Sequence, residues 1–248
     1  MQPGTVSFIG AGPGDPELLT LKGARLIACA DLVLYTGSLV PPAILTNHAP
    51  HARVIDSALL SLEDIHRLMR DCALQGQRCA RVHTGDPSLY GALREEITLL
   101  EQDGIPWQVV PGVTAATAAA AACGISFTVP EVTQTLIISR MEGKTPMPAA
   151  ESLDLLACHK TSLAIYLSSK LADKVQEKLL ASGLPAETPI LCAHRVGWPE
   201  EALIWTTLAD LASCMHKHNL QRQTLILVLP AEAAKGAKSI LYSKDRPR

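Results

Sequence analysis

The sequence predicts an α/β protein built from two domains with mostly parallel sheets. Short runs rich in Val, Ile and Leu alternate with amphipathic segments, which is the pattern of strands joined by crossover helices. Loops rich in glycine and proline directly follow several of these apolar runs. The chain has 248 residues, a length that favours two domains over one. Aromatic residues make up only 4 % of the chain, so aliphatic side chains must fill most of the core.

The first half of the chain alternates regularly between strands and helices. Strands are expected at residues 5–9, 31–35, 53–56, 78–83 and 107–110, each a short segment that contains Val, Ile or Leu. Helices are expected at residues 18–27, 41–47, 61–75, 91–101 and 115–123. Ser61 followed by Asp64 resembles a capping box in which Asp replaces the usual Glu. We therefore expect a mostly parallel sheet that is covered by helices on both faces.

The second half follows a different order of elements. Strands are expected at residues 134–139, 162–167, 189–194, 202–207 and 224–229, with helices at 152–158, 171–182 and 208–218. We place the domain boundary after Gly112, which gives an N-terminal α/β domain at residues 1–112 and a C-terminal α/β domain at 113–230. The remaining residues, 231–248, are polar and basic, and we expect them to form a disordered tail.

Composition argues against several classes of function. The net charge of −2 gives no support for nucleic-acid binding. No run of about 18 apolar residues is present, and residues 1–9 lack the features of a signal peptide, so we expect no membrane association. Seven widely spaced cysteines without a C-x-x-C pair are typical of a reducing compartment, which predicts a cytoplasmic protein. Cys214, His216 and His218 lie on a predicted helix without sharing a face, so we expect no protein-bound metal.

Two loops are the strongest candidates for a ligand site. Residues 82–91 read V-H-T-G-D-P-S-L-Y-G, and residues 111–115 read P-G-V-T-A. Each loop joins a predicted strand to a predicted helix. Both therefore lie at the carboxyl ends of strands, where open α/β sheets bind their ligands.

A third loop, residues 10–16, reads G-A-G-P-G-D-P and only superficially resembles a dinucleotide-binding fingerprint. Its glycines are spaced G-x-G-x-G, and residues 32–35 offer no carboxylate for a ribose. Pro13 also removes an amide donor that a pyrophosphate would use, so a nicotinamide cofactor is disfavoured. Asp15 and Asp86 each stand in a Gly-Asp-Pro sequence. This sequence fits a helix cap or turn as well as a backbone path that holds a ligand.

Together these loops resemble the tetrapyrrole methylase family, S-adenosylmethionine enzymes that act mainly in cobalamin and sirohaem synthesis. The resemblance rests on F-I-G-A-G-P-G-D-P-E-L-L-T at residues 8–20, G-D-P-S-L-Y-G at 85–91 and P-G-V-T at 111–114. It covers about residues 5–230. Three further stretches resemble the branch that methylates C(11) of precorrin-4 or cobalt-precorrin-4: T-Q-T at 133–135, R-M-E-G-K-T-P-M-P at 140–148 and W-P at 198–199.

The resemblance implies the class III S-adenosylmethionine methyltransferase architecture, with the cofactor in a cleft between two α/β domains. The product would be S-adenosylhomocysteine, and the assembly would be a homodimer. The implied cofactor-binding residues are Gly85, Asp86, Leu89, Thr114, Ala115, Leu167, Ala193 and Thr224. Among them, Leu167 would pack near the adenine and Thr114 would meet the methionine or ribose end.

The acceptor that the resemblance implies is a tetrapyrrole with many carboxylates, which Arg and Lys side chains bind well. The candidate acceptor-binding residues are Gly12, Pro13, Gly14, His83, Arg140, Lys144 and Arg195. His83 is equally compatible with a structural, hydrogen-bonded histidine. Asp15 is the candidate catalytic base, against the alternative of a purely structural turn.

Two alternatives to this function remain open from the sequence. Within the family, the acceptor can be another precorrin position, uroporphyrinogen, or a protein or RNA. In a different class, the chain is a non-catalytic α/β module that binds an adenine nucleotide.

Overall fold

The computed structural model describes residues 2–233, which form two compact units. Within the described residues, the first unit comprises residues 2–118 and 197–199, and the second begins at Ala119. Residues 113–118 thus group with the first unit, whereas the sequence places the boundary after Gly112. Of the expected tail, residues 234–248 lie outside the described part of the chain. Residues 231–233 belong to a short 3-10 helix, Pro230–Ala233.

The first unit is built on a five-stranded parallel sheet. Its strands are β1 (Val6–Gly10), β2 (Leu32–Tyr35), β3 (Arg53–Asp56), β4 (Cys79–His83) and β5 (Trp107–Val110). Their order is β3-β2-β4-β1-β5, and every pairing is parallel, as predicted. Because β1 lies between β4 and β5, the loops that follow these three strands leave one edge of the sheet side by side.

Helices cover both faces of this sheet. They are α1 (Leu21–Ala28), α2 (Pro42–His48), α3 (Leu62–Leu74) and α4 (Leu93–Gln102), and α5 (Ala115–Cys123) follows β5. Along β1, Ile9 packs in a cluster with Ile27 of α1, while Phe8 packs on the opposite face with Met69 of α3. The strand is therefore buried on both sides, which explains its uninterrupted apolar sequence.

The second unit contains a mixed sheet, which corrects the expectation of a mostly parallel one. Its strands are β6 (Leu136–Arg140), β7 (Ser162–Tyr166), β8 (Pro189–His194), β9 (Ala202–Thr207) and β10 (Thr224–Val228), in the order β6-β7-β10-β8-β9. Only β6 and β7 pair in parallel, and the other three pairings are antiparallel. Residues 195–201 alone join β8 to β9, and a parallel crossover needs about a dozen residues or more.

Three helices supply the core of the second unit: α6 (Leu153–Ala157), α7 (Ala172–Ala181) and α8 (Leu211–Lys217). Leu153, Val175 and Leu211, one from each helix, pack in one cluster with Ile165 of β7 and Ile226 of β10. None of the helices within residues 2–233 is long and apolar enough to cross a membrane.

Candidate functional site

At the carboxyl edge of the first sheet, three glycine backbones touch. A Cβ on Gly10 would lie 2.6 Å from the Cα of Gly112 and 2.6 Å from the carbonyl oxygen of Gly85. A Cβ on Gly112 would overlap that same carbonyl. The loops after β1, β4 and β5 therefore approach one another as bare backbone, which only glycine permits.

Backbone hydrogen bonds connect the loop after β1 to the loop after β4. The amide of Gly85 donates to the carbonyl of Gly12 at 2.7 Å, and the amide of Gly12 donates back to Gly85 at 3.2 Å. Both glycines have left-handed φ values, +78° and +61°. The loop of residues 10–16 is thus part of the same strand-end cluster as the two predicted ligand loops.

The side chain of Asp86 connects the two predicted cofactor loops. Its Oδ1 accepts the amide of Ser88 at 2.8 Å, and its Oδ2 accepts the amide of Gly112 at 2.9 Å. Both carboxylate oxygens are therefore engaged, and what Asp86 can offer a ligand is its backbone. Leu89 and Thr114 lie half-buried in the same loops, and Ala115 is half-buried at the start of α5.

Backbone strain marks the loop after β4. Tyr90 and Ala92 have φ values of 56° and 52°, in the left-handed region that side chains disfavour. Strain of this kind persists where the surrounding structure enforces it, and it clusters at binding and catalytic sites.

The loop of residues 11–15 holds the predicted catalytic residue, Asp15. Its Oδ1 accepts the amide of Glu17 at 2.8 Å and so caps the 3-10 helix Pro16–Leu18. This contact is the structural turn role that the sequence offers as the alternative to catalysis. Oδ2 accepts no hydrogen bond from residues 2–233, so a role as base stays a prediction.

The same loop has a partner that the sequence did not predict. The indole Nε1 of Trp198 donates to the carbonyl oxygen of Pro13 at 2.9 Å, across 185 positions of sequence. Next to it, Gly197 lies so close to Asp15 that a Cβ would stand 2.6 Å from the Asp15 nitrogen.

His83, a predicted acceptor contact, is enclosed in the first unit. Only 3 % of the residue is exposed, its ring lies 6.1 Å from that of Phe8, and its Nε2 has no hydrogen-bond partner among the described residues. Burial, helped by the positive charge of Arg81, lowers the pKa of His83 to about 3. Arg81 itself is buried in an ion pair with Glu96 at 3.0 Å. His83 is therefore neutral, and its burial favours a structural role over contact with a large acceptor.

The second sheet has its own strained edge. Leu167, Arg195 and Gln223 have φ values of 54°, 46° and 50°. Leu167 follows β7, Arg195 follows β8 and Gln223 precedes β10, and these strands are neighbours in the sheet. Leu167 is also 71 % exposed, so this edge presents an apolar side chain to solvent.

The other two predicted adenosine contacts in this unit are buried. Ala193 is 1 % exposed and Thr224 is 6 % exposed. The hydroxyl of Thr224 lies 2.9 Å from Nδ1 of His194, whose pKa is lowered by burial and by Arg195. Both residues therefore offer a ligand little surface, and their contact with adenosine stays a prediction.

The predicted cations of the second unit differ in availability. The guanidinium of Arg140 donates to the carbonyls of Thr145 and Pro146, at 3.1 and 2.7 Å. Arg195 donates to Gln223 at 2.8 Å and pairs with Glu200 at 3.2 Å. Lys144, by contrast, is exposed and forms no ion pair with any described residue. Arg140 and Arg195 thus already bind groups of the protein itself, and Lys144 is the most accessible of the three cationic side chains.

Comparison with known proteins identifies the family. The model described as Tetrapyrrole (Corrin/Porphyrin) Methylases matches residues 5–212. The chain belongs to this family. This confirms the family that the loop motifs predict. Because the curated relatives are methyltransferases, this tetrapyrrole methylase is one as well, and the non-catalytic alternative is set aside.

Individual relatives of this tetrapyrrole methylase match over nearly their full length. The precorrin-4 C(11)-methyltransferase of Pseudomonas aeruginosa is 47 % identical over 242 residues, covering 97 % of this chain and 96 % of that protein. The X-ray structure of a cobalt-precorrin-4 methyltransferase, a cobalamin biosynthetic enzyme, has a TM-score of 0.88 and 42 % identity, covering 90 % and 94 %. The Thermus thermophilus uroporphyrin-III C-methyltransferase, complexed with S-adenosylhomocysteine, has a TM-score of 0.76 and 28 % identity, covering 95 % and 96 %. The predicted α/β methylase fold is confirmed.

Proposed function

We propose that this tetrapyrrole methylase transfers a methyl group from S-adenosylmethionine to C(11) of precorrin-4 or its cobalt form in cobalamin biosynthesis. The observation that carries this proposal is the 47 % identity to a precorrin-4 C(11)-methyltransferase over 97 % of the chain. Identity to uroporphyrinogen methyltransferases is lower, at 28 % for the Thermus thermophilus structure and 36 % over 91 % of this chain for an Arabidopsis thaliana protein. The difference supports precorrin-4 over uroporphyrinogen as the acceptor.

The residues present fit a methyl donor of this kind. A Cβ on Gly85 would meet only the Cα of Thr114, at 3.9 Å, so one side of this glycine is open to close approach. Exposed Leu167 offers an apolar surface that suits a purine. We assign donor binding to Gly85, Asp86, Leu89, Thr114, Ala115 and Leu167, and we keep Ala193 and Thr224, which are buried, as further predicted contacts. The donor supplies a methyl group already activated on a positively charged sulfur, which keeps the electron pair when the methyl carbon bonds to C(11). The cleft arrangement implied by the family stays a prediction.

The contribution of the protein to this reaction is mainly positioning. Hydrogen bonds between Gly12 and Gly85, and between Asp86 and Gly112, fix the loops before any ligand arrives. Preorganised loops lose little conformational entropy on binding, and good alignment of the reacting atoms is worth several kcal/mol. The net reaction releases one proton from the acceptor. We assign Asp15 as the group that receives it, through its Oδ2.

Acceptor binding is assigned to the loop of Gly12, Pro13 and Gly14 and to Lys144. The exposed ammonium of Lys144 suits the acetate and propionate groups of a tetrapyrrole. Arg140 and Arg195 would contribute only if their present contacts opened. A cytoplasmic homodimer is part of the same proposal and rests on the family.

Methyl transfer with three separate acceptors tests the proposal. The purified protein is incubated with donor labelled by carbon-13 in its methyl group, and with precorrin-4, cobalt-precorrin-4 or uroporphyrinogen III. We expect one labelled methyl group at C(11) of a precorrin-4 form, with one S-adenosylhomocysteine formed for each. Methylation of uroporphyrinogen alone would contradict the assignment.

A further inference from the structure

Residues 197–199 contact the loop of residues 11–15 in a way that the proposed reaction does not use. The Trp198 indole donates to the Pro13 carbonyl at 2.9 Å, and Trp198 is only half-buried. Gly197 has a φ of +78°, and its Cα faces the backbone of Asp15 and Gly14 closely enough to exclude any side chain. Both residues group with the first unit.

The contacted stretch depends on this support because it has few other restraints. Gly12 is held by Gly85, and Asp15 by its cap on Glu17. Between them, Pro13 is buried and has no amide to donate, so its carbonyl is its one hydrogen-bonding group. The indole therefore supplies the side-chain hydrogen bond that satisfies this carbonyl.

We infer that Trp198 is a positioning residue, which fixes residues 13–15 in the conformation that receives the acceptor macrocycle. The inference rests on the proposed function, because that function assigns this loop to the acceptor. Loss of the indole hydrogen bond would let the loop move away from its binding conformation. Acceptor binding would then weaken, whereas donor binding would not, because the Asp86–Gly112 and Gly12–Gly85 hydrogen bonds do not involve the indole.

Two variants separate the hydrogen bond from the packing. Trp198→Phe keeps an aromatic ring and removes the N–H. Gly197→Ala keeps the indole but places a Cβ 2.6 Å from the Asp15 nitrogen, so the contact must open. Trp205→Phe is the matched control, since Trp205 lies on β9 and is 46 % exposed.

Kinetics and calorimetry give the first readout. For both Trp198→Phe and Gly197→Ala, we expect the KM for the precorrin-4 acceptor to rise about tenfold, the effect of one lost hydrogen bond. The Kd of S-adenosylhomocysteine and the values for Trp205→Phe should stay at wild-type levels. An unchanged acceptor KM in both variants would overturn the inference, and so would an equal change in KM and in the Kd of S-adenosylhomocysteine.

Hydrogen exchange gives a readout that does not depend on turnover. The amides of Gly12, Glu17 and Leu18 are followed in the protein without ligands, because Gly12 donates to Gly85 whereas Glu17 and Leu18 donate to Asp15. We expect exchange at Glu17 and Leu18 to accelerate about tenfold in Trp198→Phe while exchange at Gly12 stays unchanged, since local opening of residues 13–15 becomes easier. Unchanged exchange there would refute the positioning role. If the wild-type protein methylated no precorrin-4, the proposed function would fail while this measurement still reported on Trp198.

Discussion

The Asp86 carboxylate accepts a hydrogen bond from the backbone amide of Gly112 at 2.9 Å, across 26 positions of sequence. One side chain thereby holds the loop after β4 against the loop after β5. Its other oxygen closes the local turn at Ser88. The sequence motif Gly-Asp-Pro is thus a structural tie between the two loops to which donor binding is assigned.

Removing this carboxylate should weaken both folding and donor binding. For Asp86→Ala, we expect the free energy of unfolding to fall by about 2 kcal/mol, because two amides lose their acceptor. The Kd of S-adenosylhomocysteine should rise about tenfold as the loops separate. Urea unfolding and calorimetry measure the two effects. Asp56→Ala is the matched control, since Asp56 accepts the Ala58 amide in a similar turn and accepts no long-range hydrogen bond from residues 2–233. Equal changes in stability and donor affinity for Asp86→Ala and Asp56→Ala would contradict a role of Asp86 in connecting the two loops.

The close contact of Gly10, Gly85 and Gly112 predicts that adding a side chain there destabilises the fold. In Gly112→Ala the new methyl group would overlap the Gly85 carbonyl, and neither backbone can move without breaking the strand-end cluster. We expect a loss of about 3 kcal/mol or more in the free energy of unfolding, since overpacking against backbone is not relieved by a rotamer change. Gly143→Ala is the control because its Cβ would lie 3.6 Å from Leu171, an ordinary contact. Similar urea midpoints for both variants would refute this prediction.

The assignment of Asp15 as the catalytic base can be tested by substitution. Asp15→Asn keeps an oxygen that can accept the Glu17 amide but removes the group that can take a proton. If Asp15 is the base, kcat should fall about 100-fold or more while the Kd of S-adenosylhomocysteine stays unchanged. Asp56→Asn serves as the control for loss of a carboxylate in a turn. A kcat close to that of the wild type would assign Asp15 to the helix cap alone.

Sequence periodicity was sufficient for most of the local structure. Every strand that the sequence predicts is present, and Ser61 accepts the Asp64 amide at 3.1 Å as the capping pattern indicates. The glycine loops were also placed correctly at strand ends, because the apolar run and the turn residues that follow it are local signals. The antiparallel pairings of the second sheet were not predicted, since an apolar run has the same pattern in either strand direction.

The distant contacts of the site carry no local signal. The hydrogen bond between Trp198 and Pro13 cannot be predicted from sequence spacing. A left-handed φ at Leu167 or Arg195 cannot be predicted either, because glycine is the residue that usually indicates this conformation. Arg140 illustrates a different limit. Its position after an apolar strand predicts a free cation, but its guanidinium folds back onto the carbonyls of its own loop.

Burial of His83 predicts a specific pH dependence. The unfolded chain binds a proton at this histidine below a pKa of about 6.5, whereas the folded protein does not until about pH 3. Between these values the unfolded state holds more protons, so stability falls as the pH falls. In His83→Gln, the loss of unfolding free energy from pH 7 to pH 5 should be smaller by about 2 kcal/mol. Urea titrations at both pH values measure this difference. His159→Gln, at an exposed histidine, is the control, and equal slopes for His83→Gln and the wild type would disprove the effect.

Leu167 combines strain with exposure, which predicts opposite effects on stability and binding. In Leu167→Gly the left-handed backbone costs nothing, and an exposed side chain gives up little packing. We expect the free energy of unfolding to rise by about 0.5 kcal/mol, the relief of strain exceeding the added chain entropy of glycine. The Kd of S-adenosylhomocysteine should rise about tenfold, because a purine would lose its apolar contact.

Lys160→Gly separates these two effects. Lys160 is exposed and has a φ of 52°, so glycine should relieve the same strain there. Donor affinity should remain at the wild-type value, because nothing assigns Lys160 to the site. Calorimetry and urea unfolding on both variants complete the comparison. A Leu167→Gly protein that bound S-adenosylhomocysteine as tightly as Lys160→Gly would remove Leu167 from the donor site and leave its strained backbone without a functional explanation.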